Sequence, residues 1–540
     1  MEIAGEQILK KRKEKIKKFF MEFVNDNPNK ILILILFVAF AIRFWIFLKT
    51  FNQPVWWDAA DYLVAAKRWA GVNPNLIDMW YYRRGFFWPL FESFFFRFGW
   101  GETGIQFAGT LFSTGIVWVS YILIKDMFNK KLALLVAISL TFSWISLFFI
   151  GRLLTNIPAT FFLLTSLMFF WKGYVLKKGN KFIYLFGLFF ALTSLTRMQY
   201  LMFAFPLVVF LFTKEKFKFL LNKHLWIAAG IFVLIFIPQM VMHYQHFGNP
   251  LIDLSSYYFG IGESPTGELG AEGSESKPLA YFLNLPYILD GNQKGYSNLL
   301  VFSPMYILFV IGAFMLFIEM ILGIDQIFKN DRIQKIFFIF LWIIFTFFIL
   351  GYKLAPQLEQ RPIDQTLPFL FLIATYPLMN LIKISRDKFN IGEKNAFLIV
   401  IFLLFLLIIP NILFGNNLID AKKTSYLEVK QAGLWIKDHS NPEDIVISDS
   451  LPQITYYSER STYPFNLAYR RDITRQNESA LLDFISSNKP KFMTLTAFER
   501  QDDWAIAFPQ NHPEMVVPVQ VYKQNEQPVF VIYQFNYNSS

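Results

Sequence analysis

The sequence predicts a polytopic α-helical membrane protein with about eleven transmembrane helices and a small C-terminal extracytoplasmic α/β domain. Three observations support this prediction. Of its 540 residues, 54% are hydrophobic and 19% aromatic, and only 17% are charged, whereas roughly a quarter are charged in ordinary soluble domains. Apolar stretches such as ILILILFVAFAIRFWIFL (31–48) approach the ~20 residues that cross a bilayer. Mixed helix-like and strand-like patterns begin only after the last of these stretches.

Hydropathy divides residues 31–414 into about eleven spans. They are 31–50, 104–124, 132–150, 154–172, 181–196, 199–213, 225–242, 300–322, 335–351, 367–383 and 396–414. Residues 181–213 form either two short spans or one bent hairpin. The first span is too long for the apolar core of a signal peptide and lacks a small-residue cleavage site. Residues 1–30, which contain KKRKEKIKK, are therefore predicted to be a basic cytoplasmic N-terminus.

The short segments between the spans alternate in charge. Lysine-rich turns such as KKGNK (177–181) and KEKFKFLLNK (214–223) are expected in the cytoplasm, because positive charge is retained on that side. The long loops 51–103 and 243–299 and the tail 415–540 then lie outside. The net charge of +11 is explained by these lysines rather than by a nucleic-acid-binding surface. Since there is no cysteine, disulfides and cysteine metal sites are excluded.

The tail has the pattern of a small soluble domain. SYLEVKQAGLWIKDHS (425–440) has helical apolar spacing, and DIVISD (444–449) and PVFVIYQF (528–535) are strand-like runs. ESALLDFISSNKPKFMTL (478–495) is typical of a helix followed by a strand. Residues 415–540 are therefore predicted to form an external α/β domain of about a hundred residues.

Two carboxylates follow the first span directly, in VWWDAADYL (55–63). Asp58 can cap an interfacial amphipathic helix over 59–70, with Asp61 in the first turn, where the helix dipole favours a carboxylate. Alternatively, Asp58 faces a pocket as a general base or metal ligand. The two interpretations are compatible, and capping accounts for only one of the two acids.

Cations are numerous on the predicted external face, where positive charge should be scarce. They are Arg83, Arg84, Arg152, Arg197, Lys353 and Arg361. Singly, each is explained by interfacial anchoring or snorkelling. Together they indicate an anionic lipid headgroup or a phosphate substrate, which guanidinium geometry suits. His243 and His246 are placed to share a helix face, but a metal site there lacks a clear third ligand.

The segments that contain these residues resemble the GT-C superfamily of polytopic glycosyltransferases, in particular the protein O-mannosyltransferase and aminoarabinose-transferase group, which use polyprenyl-phosphate sugars. An acidic motif directly after the first span is the first likeness. The others are RRGFFWPLF (83–91), GRLLTNIPATFFLL (151–164), HFGNPL (246–251) and LEQRPIDQTLPFLFLI (358–373). One departure is Ala59 after Asp58, where many members have adjacent Asp and Glu.

The resemblance implies that the protein transfers a sugar from a polyprenyl-phosphate donor to a lipid, glycan or protein acceptor at the extracytoplasmic face of the cell membrane. No nucleic acid is expected as a partner. The alternative is a lipid or solute transporter without transferase activity. Transporters tend to show inverted repeats and charges deep within their spans, whereas no repeat is visible here and the charges cluster at the external face.

The resemblance also suggests roles for individual residues. Asp58 would deprotonate the acceptor, with Asp61 as the second acid. Donor phosphate would be held by Arg83, Arg84, Arg197, Lys353 and Arg361. Sugar or acceptor contacts are expected from Trp57, Tyr82, Arg152, His243 and Glu359. No cofactor follows from the pattern, although a divalent metal ion near Asp58 is compatible with it.

Overall fold

A computed structural model of the protein describes most of the chain, including all the predicted spans. The described residues are 28–73, 76, 84–252, 277–294, 296, 298–354, 360–465, 478–499 and 501–537.

The first part of the chain is almost entirely helical, since its long apolar runs bury their backbone hydrogen bonds within helices. In chain order the helices are α1 (Pro28–Thr50), α2 (Trp57–Trp69), α3 (Phe87–Arg97), α4 (Gly101–Met127), α5 (Lys130–Thr141), α6 (Trp144–Phe148), α7 (Asn156–Phe170), α8 (Asn180–Thr196), α9 (Ala204–Glu215), α10 (Lys223–Phe247), α11 (Ala280–Leu283), α12 (Leu285–Asp290), α13 (Leu299–Phe302), α14 (Pro304–Leu322), α15 (Asp331–Leu354), α16 (Leu367–Phe389) and α17 (Glu393–Lys422).

Among the described residues, seven helices are long and apolar enough to cross a membrane, and an eighth span results if the bent pair α5 and α6 is counted as one. The other three predicted spans fall on the shorter helices α7, α8 and α9. Within the predicted segment 181–213, α8 and α9 are separated by the 3-10 turn Met198–Phe203. The protein is an integral membrane protein, as its composition predicts.

Ion pairs between loops show which loops lie together at each end of the bundle. Lys131 pairs with Glu393, and Lys214 pairs with Asp331, so these contacts join turns that the sequence assigns to the cytoplasmic side. At the other end, Lys49 in the last turn of α1 pairs with Asp420 in the last turn of α17. The contacts agree with the alternation of ends that the lysine content predicts.

A fully buried arginine stabilises the bend between α5 and α6. The helix axes differ by 46° across this break. Arg43 on α1 donates through Nη2 to the carbonyl oxygen of Leu140 (3.1 Å) and through Nη1 to that of Thr141 (3.2 Å), and its Nε donates to Ser113 Oγ (2.8 Å). A charge at membrane depth is costly, and these acceptors at the broken helix end compensate for it.

The tail forms an α/β domain, as predicted. Its elements are α18 (Leu427–Asp438), β1 (Ile445–Ile447), α19 (Leu451–Ser458), β2 (Ser461–Tyr463), α20 (Glu478–Asn488), β3 (Phe492–Thr496), α21 (Asp503–Asn511), β4 (Val516–Gln524) and β5 (Gln527–Phe535). The sheet order is β2-β1-β3-β5-β4. Strands β2, β1 and β3 are parallel, and β5 runs antiparallel to β3 and β4. The strands predicted near 444–449 and 528–535 are confirmed.

Helix α19 docks the tail domain on the start of α2. The backbone N–H of Val55 donates to the hydroxyl of Tyr457 (2.8 Å), and the carbonyl oxygen of Val55 accepts from Gln453 Nε2 (3.1 Å). Farther along α2, the ammonium of Lys67 lies 2.9 Å from Glu459 Oε1 and 4.2 Å from the centre of the Tyr456 ring. The helix that carries Asp58 and Asp61 is thus held by the membrane bundle on one side and the tail domain on the other.

We expect Arg43→Met to lower the free energy of unfolding by about 1–3 kcal/mol, because it leaves buried carbonyl oxygens without their donor. The measurement is thermal unfolding in detergent, followed by tryptophan fluorescence. Arg386→Met is the matched control, since this side chain is 54% exposed. Equal losses in the two variants would contradict the stabilising role of Arg43.

Candidate active site

Asp58 lies in the first turn of α2 and does not cap it. The helix begins at Trp57, Trp56 occupies the cap position, and no side chain caps this end. The prediction that Asp58 is an N-cap is therefore wrong. Its carboxylate instead pairs with two guanidinium groups that come from other segments of the chain.

The two cations bind different oxygens of Asp58. Arg84 Nη2 lies 3.1 Å from Oδ1, and Arg361 Nη1 lies 2.6 Å from Oδ2. Burial by itself would raise the pKa of Asp58, but the charges and hydrogen bonds of Arg84 and Arg361 outweigh it and hold the pKa well below its usual range. The side chain remains 28% exposed. Asp58 is therefore an accessible carboxylate flanked by two cations. An incoming anion can bind these arginines in place of Asp58.

Asp61 and Tyr62 fix Arg84 from the next turn of α2. Arg84 Nε lies 2.7 Å from Asp61 Oδ2, and Asp61 is only 3% exposed. Arg84 Nη1 donates to the Tyr62 hydroxyl (3.2 Å), and its guanidinium lies 4.9 Å from the centre of that ring. Positions three and four residues after Asp58 share its helix face. The two acids of this segment thus differ in environment: one is accessible and the other is buried beneath Arg84.

Gln239 on α10 holds the backbone at Arg84. Its Nε2 donates to the carbonyl oxygen of Arg84 (3.3 Å), and its Oε1 accepts from the N–H of Phe86 (3.0 Å). His243, one turn later and fully buried, hydrogen-bonds to Gln239 Nε2 (2.6 Å). His243 was predicted to contact sugar or acceptor, and the structure places it behind Arg84. Gln239 was not among the predicted residues. An amide side chain within an apolar span, next to Pro238, is the feature of the sequence that could have indicated it.

Gly85 allows a close approach between this loop and α8. A Cβ atom at this position would overlap the carbonyl oxygen of Leu195. Only glycine therefore fits here, and the contact fixes the position of the residue directly after Arg84.

Arg197 lies in a second polar cluster. Its guanidinium is 5.7 Å from the centre of the Tyr200 ring, and its charge acts on Asp364, which accepts from Asn156 Nδ2 (2.7 Å). Burial raises the pKa of Asp364 to about 7, although Asn156 and Arg197 oppose the shift. No contact between Arg197 and Asp58 occurs within the described residues. Sequence analysis did not identify Asp364 or Asn156.

The remaining predicted residues have varied positions. Arg152 is 3% exposed, lies over the rings of Trp56 (4.4 Å) and Phe148 (4.8 Å), and donates to the carbonyl oxygen of Lys422 (3.0 Å). Trp57 is partly exposed beside Asp58. Three predicted residues and one predicted side chain lie outside the described residues: Tyr82, Arg83, Glu359 and the side chain of Lys353.

The surroundings of Asp58 do not fit a divalent metal ion. Both carboxylate oxygens already contact guanidinium groups, and a metal would have to displace these like charges. Within the part of the chain that the structure describes, no group of three or more His, Asp or Glu side chains is placed to hold a metal. The cluster suits an anion.

Comparisons with known proteins were made for sequence and for structure. The family model described as Dolichyl-phosphate-mannose-protein mannosyltransferase matches residues 85–242. No curated protein sequence matches the chain. ArnT from Cupriavidus metallidurans bound to undecaprenyl phosphate superposes with a TM-score of 0.65 at 12% identity, covering 93% of this chain and 97% of that one. The chain has the GT-C fold.

A second GT-C structure agrees with this assignment. It is the oligosaccharyltransferase AglB from Archaeoglobus fulgidus in complex with an inhibitory peptide and a dolichol-phosphate, with a TM-score of 0.55 at 14% identity, covering 86% of this chain and 69% of that one. The GT-C resemblance predicted from the sequence is thus confirmed at the level of the fold.

Gly85→Ala is expected to lower the free energy of unfolding by about 1–3 kcal/mol, because the added methyl group meets backbone that cannot move aside. Gly230→Ala on α10 is the matched control. A Cβ there meets nothing, so this change should be neutral or stabilise the helix by up to about 1 kcal/mol. Thermal unfolding of the two purified variants tests the difference, and indistinguishable midpoints would argue against a tight contact at Gly85.

Proposed function

We propose that the protein is a membrane glycosyltransferase that moves a sugar from a polyprenyl-phosphate donor to an acceptor on the extracytoplasmic face. The observation that supports this most directly is the accessible Asp58 carboxylate between Arg84 and Arg361 at one end of a GT-C membrane bundle. The similar ArnT and AglB structures are complexes with undecaprenyl phosphate and dolichol-phosphate, respectively, which supports this class of donor. The tail domain and the long loops would face the same side as the site.

The donor phosphate is proposed to bind Arg84 and Arg361. Guanidinium groups match phosphate oxygens in geometry and charge. Two of them neutralise the negative charge that develops on the leaving phosphate as the sugar departs. Arg83 and Lys353 would extend this cationic set, while Arg197 would act through its own cluster beside Asp364.

Phosphate binding would also activate the base. Before the donor arrives, both arginines pair with Asp58 and make its carboxylate a poor proton acceptor. A phosphate that takes over these guanidinium groups leaves Asp58 more basic. Asp58 then removes the proton from the acceptor group, the acceptor atom bonds to the anomeric carbon, and the bond from that carbon to the phosphate oxygen breaks. Polyprenyl phosphate departs with the electron pair.

Asp61 is proposed to act as a positioning residue. It is almost fully buried and contacts Arg84 through Nε, whereas Asp58 is contacted through Nη2. Arg84 can therefore turn its Nη2 from Asp58 to a phosphate while Asp61 still holds its Nε. His243 and Gln239 hold the adjacent backbone. Trp57, Tyr82, Arg152 and Glu359 remain proposed contacts of the sugar or of a lipid, glycan or protein acceptor.

Asp58→Asn should separate turnover from donor binding. We expect at least a hundredfold loss of sugar transfer, the usual contribution of a general base. Affinity for undecaprenyl phosphate should rise about 2- to 10-fold, because the arginines no longer pair with a competing carboxylate. Transfer is measured in membranes with radiolabelled polyprenyl-phosphate sugars, and affinity is measured by lipid titration of the purified protein.

Two further variants make this test decisive. Arg361→Gln should weaken undecaprenyl phosphate binding, and Asp438→Asn, an exposed acid at the end of α18, should change neither property. If Asp58→Asn transfers sugar as well as the wild type with every donor tested, Asp58 is not the base. If no donor is transferred but a lipid is moved across the membrane, the transporter alternative is favoured.

The acid limbs of the pH profiles should differ between the two substrates. The value of kcat/KM for the donor reports the free enzyme, in which the arginines hold the pKa of Asp58 low. The value of kcat/KM for the acceptor at saturating donor reports the complex, in which that pKa has risen. The limb for the acceptor should therefore lie at higher pH than the limb for the donor. If the two acid limbs lie at the same pH, the phosphate does not replace Asp58 as the partner of the arginines.

A further inference from the structure

A cavity of about 300 Å³ lies beside the proposed phosphate site, between the second long loop and the turn that carries Arg361. All the described side chains that line it are uncharged. Four of them are carboxamides: Asn284, Asn292, Gln293 and Gln360. This composition contrasts with the arginines next to it, so the cavity and the cation cluster suit different parts of a ligand.

The lining of this carboxamide pocket matches the chemistry of a neutral sugar. Each carboxamide both donates and accepts hydrogen bonds, as hydroxyl groups require, and Tyr287 and Pro286 add apolar surface. Asn284 lies between α11 and α12, and its side chain forms no hydrogen bond within the described part of the chain. Among the described lining residues a charged ligand would find no counter-ion, so it would lose its hydration without compensation.

The walls of the carboxamide pocket are held before any ligand arrives. Asn292 donates to Ser303 Oγ (2.8 Å) and accepts from the N–H of Lys294 (2.9 Å), which fixes the loop. The Tyr287 ring packs 5.0 Å from the ring of Trp144. A pre-formed site requires less ordering of side chains when a ligand binds.

Gln360 connects the carboxamide pocket to the phosphate site. It directly precedes Arg361, and its carbonyl oxygen accepts from the N–H of Ile363 in the 3-10 turn that follows. The Arg361 guanidinium reaches Asp58 from this turn. In a polyprenyl-phosphate sugar the sugar is bonded to the phosphate itself. A phosphate bound to Arg361 would therefore carry its sugar close to the preceding residue in the chain, Gln360.

We propose that the carboxamide pocket binds the donor sugar and selects an uncharged one, such as a neutral hexose or an N-acetylhexosamine. This proposal rests on the proposed function, because it takes the phosphate position from Arg361. In this proposal Asn284 and Gln360 select the sugar. The cation cluster would bind the phosphate, which every polyprenyl-phosphate sugar has.

The test compares lipid affinities of the purified full-length protein. The probes are bare undecaprenyl phosphate and undecaprenyl phosphate carrying mannose, glucose, N-acetylglucosamine or the cationic 4-amino-4-deoxyarabinose. The double variant Asn284→Leu with Gln360→Met removes two carboxamides, and Gln527→Met at the exposed start of β5 is the matched control. The wild type and the control should bind at least one neutral form more tightly than the bare lipid and more tightly than the cationic form.

In the double variant we expect the preference for the neutral form over the bare lipid to fall about tenfold, because two hydrogen bonds to hydroxyl groups are lost. The affinity for the bare lipid should not change. The proposal is overturned if the wild type prefers no neutral form, if its preference survives in the double variant, or if both lipids weaken equally. If the wild type binds no polyprenyl phosphate at all, the proposed function itself has failed.

Discussion

The pairing of Asp58 with Arg84 and Arg361 is the interaction on which the end of the bundle next to the tail domain depends. The three side chains come from α2, from the loop before α3 and from the turn before α16, so the pairing brings distant segments together. A partly buried cation without a partner is costly. In the absence of a ligand the site is thus stabilised by the same charges that would bind substrate.

The surrounding structure keeps this pairing in place and leaves Asp58 accessible. Asp61 and Tyr62 hold Arg84 from below, and Gln239 with His243 holds its backbone. Helix α19 of the tail domain fixes the start of α2 through Tyr457 and Val55. Because each support acts through buried hydrogen bonds or close packing, the positions of the charges are set by all the segments at this end of the bundle.

The site divides its proposed substrate by chemistry. Cations near Asp58 suit a phosphate, and the uncharged carboxamides beside Gln360 suit hydroxyl groups. The sugar–phosphate bond would lie between these two environments, within reach of the carboxylate. Such an arrangement separates the part of the donor that many lipids share from the part that distinguishes them.

The sequence by itself determined the membrane class and the GT-C resemblance and predicted the alternation of ends, because hydropathy, loop charge and local motifs are properties of the linear chain. It identified Asp58, Arg84 and Arg361 as residues of interest. Only the tertiary structure decided that Asp58 pairs with both arginines rather than capping α2, that Asp61 lies beneath Arg84, and that Arg197 belongs with Asp364. The tertiary structure was also needed to identify Gln239 and the carboxamide pocket. These features depend on contacts between segments far apart in the chain, and the local sequence pattern carries no information about such distances.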